Sequence, residues 1–295
     1  HPTCGDVDGD GLDEVLFGQG CFTTGGWFAL LDDDSHGHRL LGWGRYPDRA
    51  IQGAGTGVKC GCGDIDGDGR DEILVVPETI RGGAAAIAAF RWNGARIVFD
   101  RTLTVATGDS TTVDLAAGDV DEDFIDEIVV GFGPTPGVPN GRFLVLDDQR
   151  QGFRVLASRQ VTDARFVQAG GGVFPAVGDI DDDGAAEIVL GQRGPGASGR
   201  IEIFDDLRAG GRFVKALTVP WALYNASVGV TKPFVGQFDG RGGEDILVGL
   251  DGRIAAGFYL WFVDVPSCTP RSGWGRADWS QYNACGGGTL PFLLR

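Results

Sequence analysis

The residues of this chain best suited to chemistry are acidic and periodic. In GDVDGDGLDEVLFG, which begins at Gly5, Asp6, Asp8, Asp10 and Glu14 fall at positions 1, 3, 5 and 9 of a short loop, with the backbone carbonyl of Leu12 at position 7. Five hard oxygen donors so close together make a cation cage. Ca2+ accepts six to eight oxygens at about 2.3–2.6 Å, whereas Mg2+ demands stricter octahedral geometry and keeps more water, so Ca2+ is the expected ion. The first half of the loop also matches an EF-hand, which needs a bidentate Glu at position 12 and flanking helices. Here position 12 is Phe17, inside a short apolar run, so the EF-hand reading fails.

The loop is not alone. It recurs as GDIDGDGRDEILVV from residue 63, GDVDEDFIDEIVVG from 118, GDIDDDGAAEIVLG from 178 and, degenerate, GQFDGRGGEDILVG from 236, so that motifs start at 6, 64, 119, 179 and 237. The matching donors are Asp64, Asp66, Asp68 and Glu72 with the carbonyl of Arg70; Asp119, Asp121, Asp123 and Glu127 with that of Ile125; and Asp179, Asp181, Asp183 and Glu187 with that of Ala185. In the third copy Phe124 stands where the others have Gly, which makes the turn harder. In the fifth, Gln237 and Arg241 replace two of the aspartates, leaving Asp239 and Asp245. A guanidinium pairing with both carboxylates is expected where the cation would have been. About four ions are therefore expected, and their +8 would halve a formal charge of −16.

The elements that must position these loops are strands. Each motif runs into an apolar segment (EVLFG, EILVV, EIVVG, EIVLG, DILVG); a second follows, such as GRFLVLDD at 141, a third such as GFRVLAS at 152, and a fourth, such as VFPAVGD, that leads into the next motif. Four short Val-, Ile- and Phe-rich runs per repeat, punctuated by Gly and Asp, read as one antiparallel sheet. Helical periodicity is absent. Repeats of this length and strand count predict an all-β fold, a β-propeller of four-stranded antiparallel blades, over residues 1–295 as a single domain. Five blades are expected, the alternative being part of a six- or seven-bladed ring. GWGR occurs at Gly42 and again at Gly273, in the same place of the first and fifth repeats. The final LPFLLR is a sixth copy of the strand that precedes a motif. Overlapping termini, a longer array, or a strand given to a neighbouring subunit would each explain it, so self-association through this strand is one expectation.

These motifs resemble the FG-GAP and VCBS repeats of integrin α-subunit propellers and of many secreted bacterial proteins. The resemblance covers essentially the whole chain. It implies that each loop joins the two innermost strands of a blade and binds Ca2+ through the donors named above. It also implies a secreted or cell-surface, extracellular setting. Ring size departs from the pattern, since integrin-like propellers usually have seven blades.

Composition sets the remaining bounds. A charge of −16 without any basic run argues against nucleic acid, which needs clustered Lys and Arg. No apolar run is long enough to span a membrane. Methionine is missing even at position 1, which points to a processed or trimmed chain in which a signal peptide would be invisible. Six cysteines suggest disulfides in an extracellular protein. Cys268 to Cys285 is the expected bridge, within a closing segment 266–295, and cross-blade bridges are expected among Cys4, Cys21, Cys60 and Cys62.

Outside the loops, Asp32, Asp33, Asp34, His36 and His38 in LLDDDSHGH form a turn where a transition metal could bind. Asn225-Ala-Ser227 is a glycosylation sequon. Trp43 and Trp274, with Arg45 and Arg276 beside them, are candidate sugar-stacking platforms, as are Trp279 and Tyr282. No GxSxG or Ser-His-Asp set can be assembled, because all three histidines lie within the first repeat. The expected function is a binding or adhesion module for a carbohydrate or a protein partner. A polysaccharide lyase or hydrolase, and a structural subunit of a surface assembly, are the alternatives.

Overall fold

The computed structural model describes residues 2–20, 25–53, 56–80, 82–207, 210–255, 258–263, 265 and 271–276. Twenty strands form five antiparallel four-stranded sheets, the blades of a five-bladed β-propeller. Blade one comprises β1 (Pro2–Gly5), β2 (Glu14–Gly18), β3 (Trp27–Leu31) and β4 (Leu40–Arg45). Blade two is β5 (Val58–Gly63), β6 (Glu72–Pro77), β7 (Ala84–Trp92) and β8 (Ile97–Ala106). Blade three is β9 (Val113–Gly118), β10 (Glu127–Phe132), β11 (Arg142–Leu146) and β12 (Val155–Gln160). Blades four and five are β13 (Gly172–Gly178), β14 (Glu187–Arg193), β15 (Arg200–Phe204), β16 (Phe213–Thr218), then β17 (Thr231–Gly236), β18 (Asp245–Leu250), β19 (Phe258–Val263) and β20 (Arg271–Arg276).

The strand that precedes each motif belongs to the same blade as the strand that follows it. In every blade the Gly that opens the motif pairs with the acidic residue that closes it: Gly5 with Glu14, Gly63 with Glu72, Gly118 with Glu127, Gly178 with Glu187 and Gly236 with Asp245. The acidic loop is thus the hairpin between the two innermost strands. GWGR consequently lies in the outermost strands β4 and β20.

Burial follows position in the ring. The second strands β6, β10, β14 and β18 are buried almost throughout, because a neighbouring blade covers each face, and their sequences are continuously apolar. The outermost strands alternate or are exposed. Four clusters fill the spaces between successive blades; Leu16, Phe28, Ile73 and Phe90, for example, join blades one and two. Close approach of inner strands explains a glycine at the motif's head: a Cβ on Gly118 would fall 2.5 Å from Val177 Cγ1.

Four short helices, α1 (Arg49–Gly53), α2 (Ala164–Gln168), α3 (Ala222–Ser227) and α4 (Gly252–Ala255), depart from the strand-only expectation. At four to six residues none is long enough to show a period in sequence. α2 is set locally, by Asp163 capping the N–H groups of Arg165 and Phe166.

Candidate metal centres and the channel

The first Asp of each intact loop folds the backbone around itself. Asp6 accepts hydrogen bonds from the N–H groups of Gly9 (2.8 Å), Asp10 (3.1 Å) and Gly11 (2.9 Å). Asp64 and Asp179 do the same with their loops, and Asp119 accepts from Asp123 and Phe124. The third Asp then takes the N–H of position 7, as Asp10 does from Leu12 at 3.0 Å. The carbonyl-bearing residues Leu12, Arg70, Ile125 and Ala185 are held at that seventh position by the same bond.

The closing Glu distinguishes a cage from a turn. Glu14, Glu72, Glu127 and Glu187 are buried, at 0%, 4%, 0% and 3% exposure. One oxygen is anchored in three of them: Glu14 Oε2 accepts from Val7 and Asp8, Glu127 Oε2 from Val120, and Glu187 Oε2 from Ile180 at 2.7 Å. In all four, one oxygen is buried and has no hydrogen-bond partner among the described residues, and Asp8 Oδ1 shares that condition. Burial, and then the neighbouring aspartates, push these carboxyls up to about 8 for Glu14, Glu72 and Glu187 and about 9 for Glu127. Buried oxygens without a partner are costly. A divalent cation would satisfy them, so the residues present fit Ca2+.

Carboxylate oxygens of Asp64, Asp66 and Glu72, of Asp119, Asp121 and Glu127, and of Asp6, Asp8 and Asp10 lie within 4.8 Å of one another. Asp32, at the end of β3, joins Asp8 and Glu14 in a similar group. Sequence reasoning passed over this contributor. A buried Asp pair follows the third strand in three blades, as Asp32–Asp33, Asp147–Asp148 and Asp205–Asp206. The first of each pair holds an arginine at the start of the fourth strand, Arg39, Arg154 or Arg212. The recurring signal was visible in LDD, LDD and FDD. In blade two Arg91 stands at the equivalent place, pairs with Asp100, and faces Asp66 and Glu72.

The fifth loop corrects the expected role of Arg241. That side chain is exposed, and Asp239 is paired instead with Arg271 at 3.2 Å. Gln237 fills the centre: its Oε1 accepts from Gly240 at 2.8 Å, as an Asp would. Its Nε2 donates to the carbonyls of Gly242 (3.1 Å) and Gly243 (3.4 Å), the latter at position 7. An amide N–H therefore supplies to that carbonyl what a cation would supply elsewhere, and Asp245 keeps its anchor on Phe238 and Asp239.

The loops are also linked to one another. In the first four loops the carbonyl of the first residue accepts the position-8 N–H of the next blade: Asp71 to Asp6 (2.8 Å), Asp126 to Asp64 (2.9 Å), Ala186 to Asp119 (2.8 Å) and Glu244 to Asp179 (2.6 Å). Inside this chain of loops the five inner strands surround a channel of about 1170 Å3. Its loop end carries Asp13, Asp71, Asp126 and Glu244, and burial together with Asp126 and Asp13 raises Asp71 to about 8.

The remaining candidates separate. Asp33 and His36 meet at 2.7 Å, with Asp10 near them. Trp43 is 61% exposed in β4, while Trp274, 43% exposed, packs edge-on against Trp221 at the start of α3. Arg45 and Arg276 cover Trp27 and Phe258 rather than those two rings. Cys60 and Cys62 are thiols, not bridged across blades as expected: they pack between blades one and two, and burial raises both. The Asn225 amide is tied to the Val219 carbonyl at 2.7 Å. Cys21, Cys268, Cys285, Trp279, Tyr282 and LPFLLR lie outside the described residues.

No protein-family model matches the chain, and no curated protein matches it. Solved structures share the architecture. A protein in the COPII outer coat vertex on membranes is 12% identical with a TM-score of 0.51, over 93% of this chain and 64% of that one. The rhamnogalacturonan lyase YesW is 14% identical with a TM-score of 0.49, over 88% and 48%. The C-terminal domain of PilY1 from Pseudomonas aeruginosa is 14% identical with a TM-score of 0.47, over 95% and 60%. The chain thus spans 48% to 64% of the length of these structures, and the likeness is one of fold.

Proposed function

We propose that this chain is an extracellular, calcium-stabilised propeller that acts as a binding module for a carbohydrate or a protein partner. The carrying observation is the buried Glu in four loops with one oxygen left without a partner, the condition a bound Ca2+ relieves. Cations at these hairpins join the two innermost strands of a blade, which is a structural task. The fifth loop supports this, because there Gln237 closes the same hairpin without an ion. The binding surface then belongs to the channel and to the exposed aromatics, such as Trp43.

A calcium titration by calorimetry, followed by a glycan array run in calcium, tests the reading. About four ions bound and ligand retained without turnover are the expected results. Release of reducing or unsaturated sugar ends would move the protein to the enzyme class, and the absence of calcium binding would remove the stabilising role.

A further inference from the structure

The mouth of the channel opposite the acidic loops is built from one register position. Lys59, Asp114, Phe174 and Lys232 each stand four residues before a motif's opening Gly, at the far end of β5, β9, β13 and β17, and all four line the channel. They form a chain of contacts. Lys59 Nζ lies 2.8 Å from Asp114 Oδ1 and donates to the Val113 carbonyl at 2.9 Å. Arg193, from β14, reaches the other oxygen of Asp114 and donates to Thr112 Oγ1 at 2.7 Å. Its guanidinium covers Phe174 at 4.8 Å, and Lys232 Nζ approaches the same ring at 5.4 Å.

One carboxylate in direct contact therefore serves two cations, and a third, Lys232, has only an aromatic ring. Among the described residues the Lys232 ammonium makes no hydrogen bond or ion pair. Asp251, whose charge also acts on Lys232, is already held by Arg253 at 2.9 Å. Burial holds the Lys232 ammonium below its usual pKa. The Lys232 ammonium opens onto the channel, where a group of opposite charge would complete it with a charge-assisted hydrogen bond. An anion would do so, and the acidic residues at the loop end would keep it from passing through.

We propose that this mouth binds an acidic carbohydrate, with Lys232 and Arg193 receiving a sugar carboxylate. The inference rests on the binding-module reading and adds the ligand class and the place. The mouth is the concave end of a channel rather than a flat face, which favours an oligosaccharide end over a folded protein surface.

The test is calorimetry, in calcium, with tetrasaccharides of hyaluronan and of polygalacturonate, each beside its carboxyl-reduced form. At least one acidic form should bind, with the reduced form about tenfold weaker or worse, the scale of one charge-assisted hydrogen bond. Affinity should fall as salt rises. Lys232→Gln should lose about tenfold, Lys232→Arg should retain binding, and Arg96→Gln, on a remote hairpin, should match the wild type. Melting curves check that each variant is folded; if Lys232→Gln is not, the reduced sugars and the salt series on the wild type decide. Equal binding of acidic and reduced forms, or full binding by folded Lys232→Gln, overturns the inference. So does a tri-glutamate peptide that binds as tightly as the sugars, or failure of both acidic sugars to bind. The binding-module reading survives any of these if a ligand is still retained on the array.

Discussion

In Glu14, Glu127 and Glu187 one oxygen is fixed to the backbone, and in all four intact loops the closing Glu has a buried oxygen without a partner among the described residues, where the proposed cation would bind. Burial, and then the neighbouring aspartates, raise Glu127 to about 9 and the other three to about 8 from 4.5. Between 4.5 and those values the native state holds protons that the unfolded chain has released, so stability falls as pH rises. The stabilisation is complete below 4.5 and lost by the folded values, at a slope on the order of 1 kcal/mol per pH unit per group. Protein in EDTA should therefore melt at a lower temperature at pH 8 than at pH 5. Calcium should raise the melting temperature more at pH 8, because it displaces the protons. An EDTA curve that is flat or rising across this window would count against the cages. Glu127→Gln should be close to neutral in EDTA and should cost one ion in a calorimetric titration.

At the scale of the element, the hairpin loops share a backbone that favours glycine at two places. Positions 4 and 6 are left-handed in each: Gly9 and Gly11 in the first loop have φ of 83° and 89°, whereas Glu122 and Phe124 in the third have 59° and 68°. Phe124 is 90% exposed, so nothing in packing offsets its conformation. Phe124→Gly should stabilise the protein by about 1 kcal/mol in thermal melts; a lower melting temperature would show that the ring has a packing partner. In the fifth loop, Gln237→Ala removes both the acceptor and the donor of the hairpin and should cost about 1–2 kcal/mol whether or not calcium is present. The same change at Asp119 removes the acceptor of the Asp123 and Phe124 N–H groups, so it should cost stability in EDTA as well, and more in calcium. The cage donors were legible in the sequence because positions 1, 3, 5, 7 and 9 are local, and a spacing within one hairpin survives any fold. The role of Gln237 was not, since it depends on which side chain turns inward to meet Gly242 and Gly243.

At the scale of the molecule, successive loops are linked because the carbonyls of Asp6, Asp64, Asp119 and Asp179 each receive an N–H of the next blade. An ion that rigidifies one loop fixes an acceptor for its neighbour, so part of the ordering cost of the second site is already met. Calcium binding should therefore be cooperative, with a Hill coefficient above unity. Asp119→Asn, which damages one cage, should weaken the cages on either side; independent sites with unchanged affinities would refute the coupling.

The sequence by itself determined the repeat, the strand count per blade, the acidic hairpins and the degeneracy of the fifth, because all of these are set by short-range spacing and alternation. Tertiary structure decided the ring of five, the placing of the strand before each motif in the same blade as the strand after it, and the buried Asp32 that joins Asp8 and Glu14. It also decided that Lys59, Asp114, Arg193, Phe174 and Lys232, from four different blades, meet at one mouth. The Lys59–Asp114, Arg193–Asp114 and Lys232–Phe174 contacts join different blades, and only the packing of blade against blade around the channel brings these residues within reach.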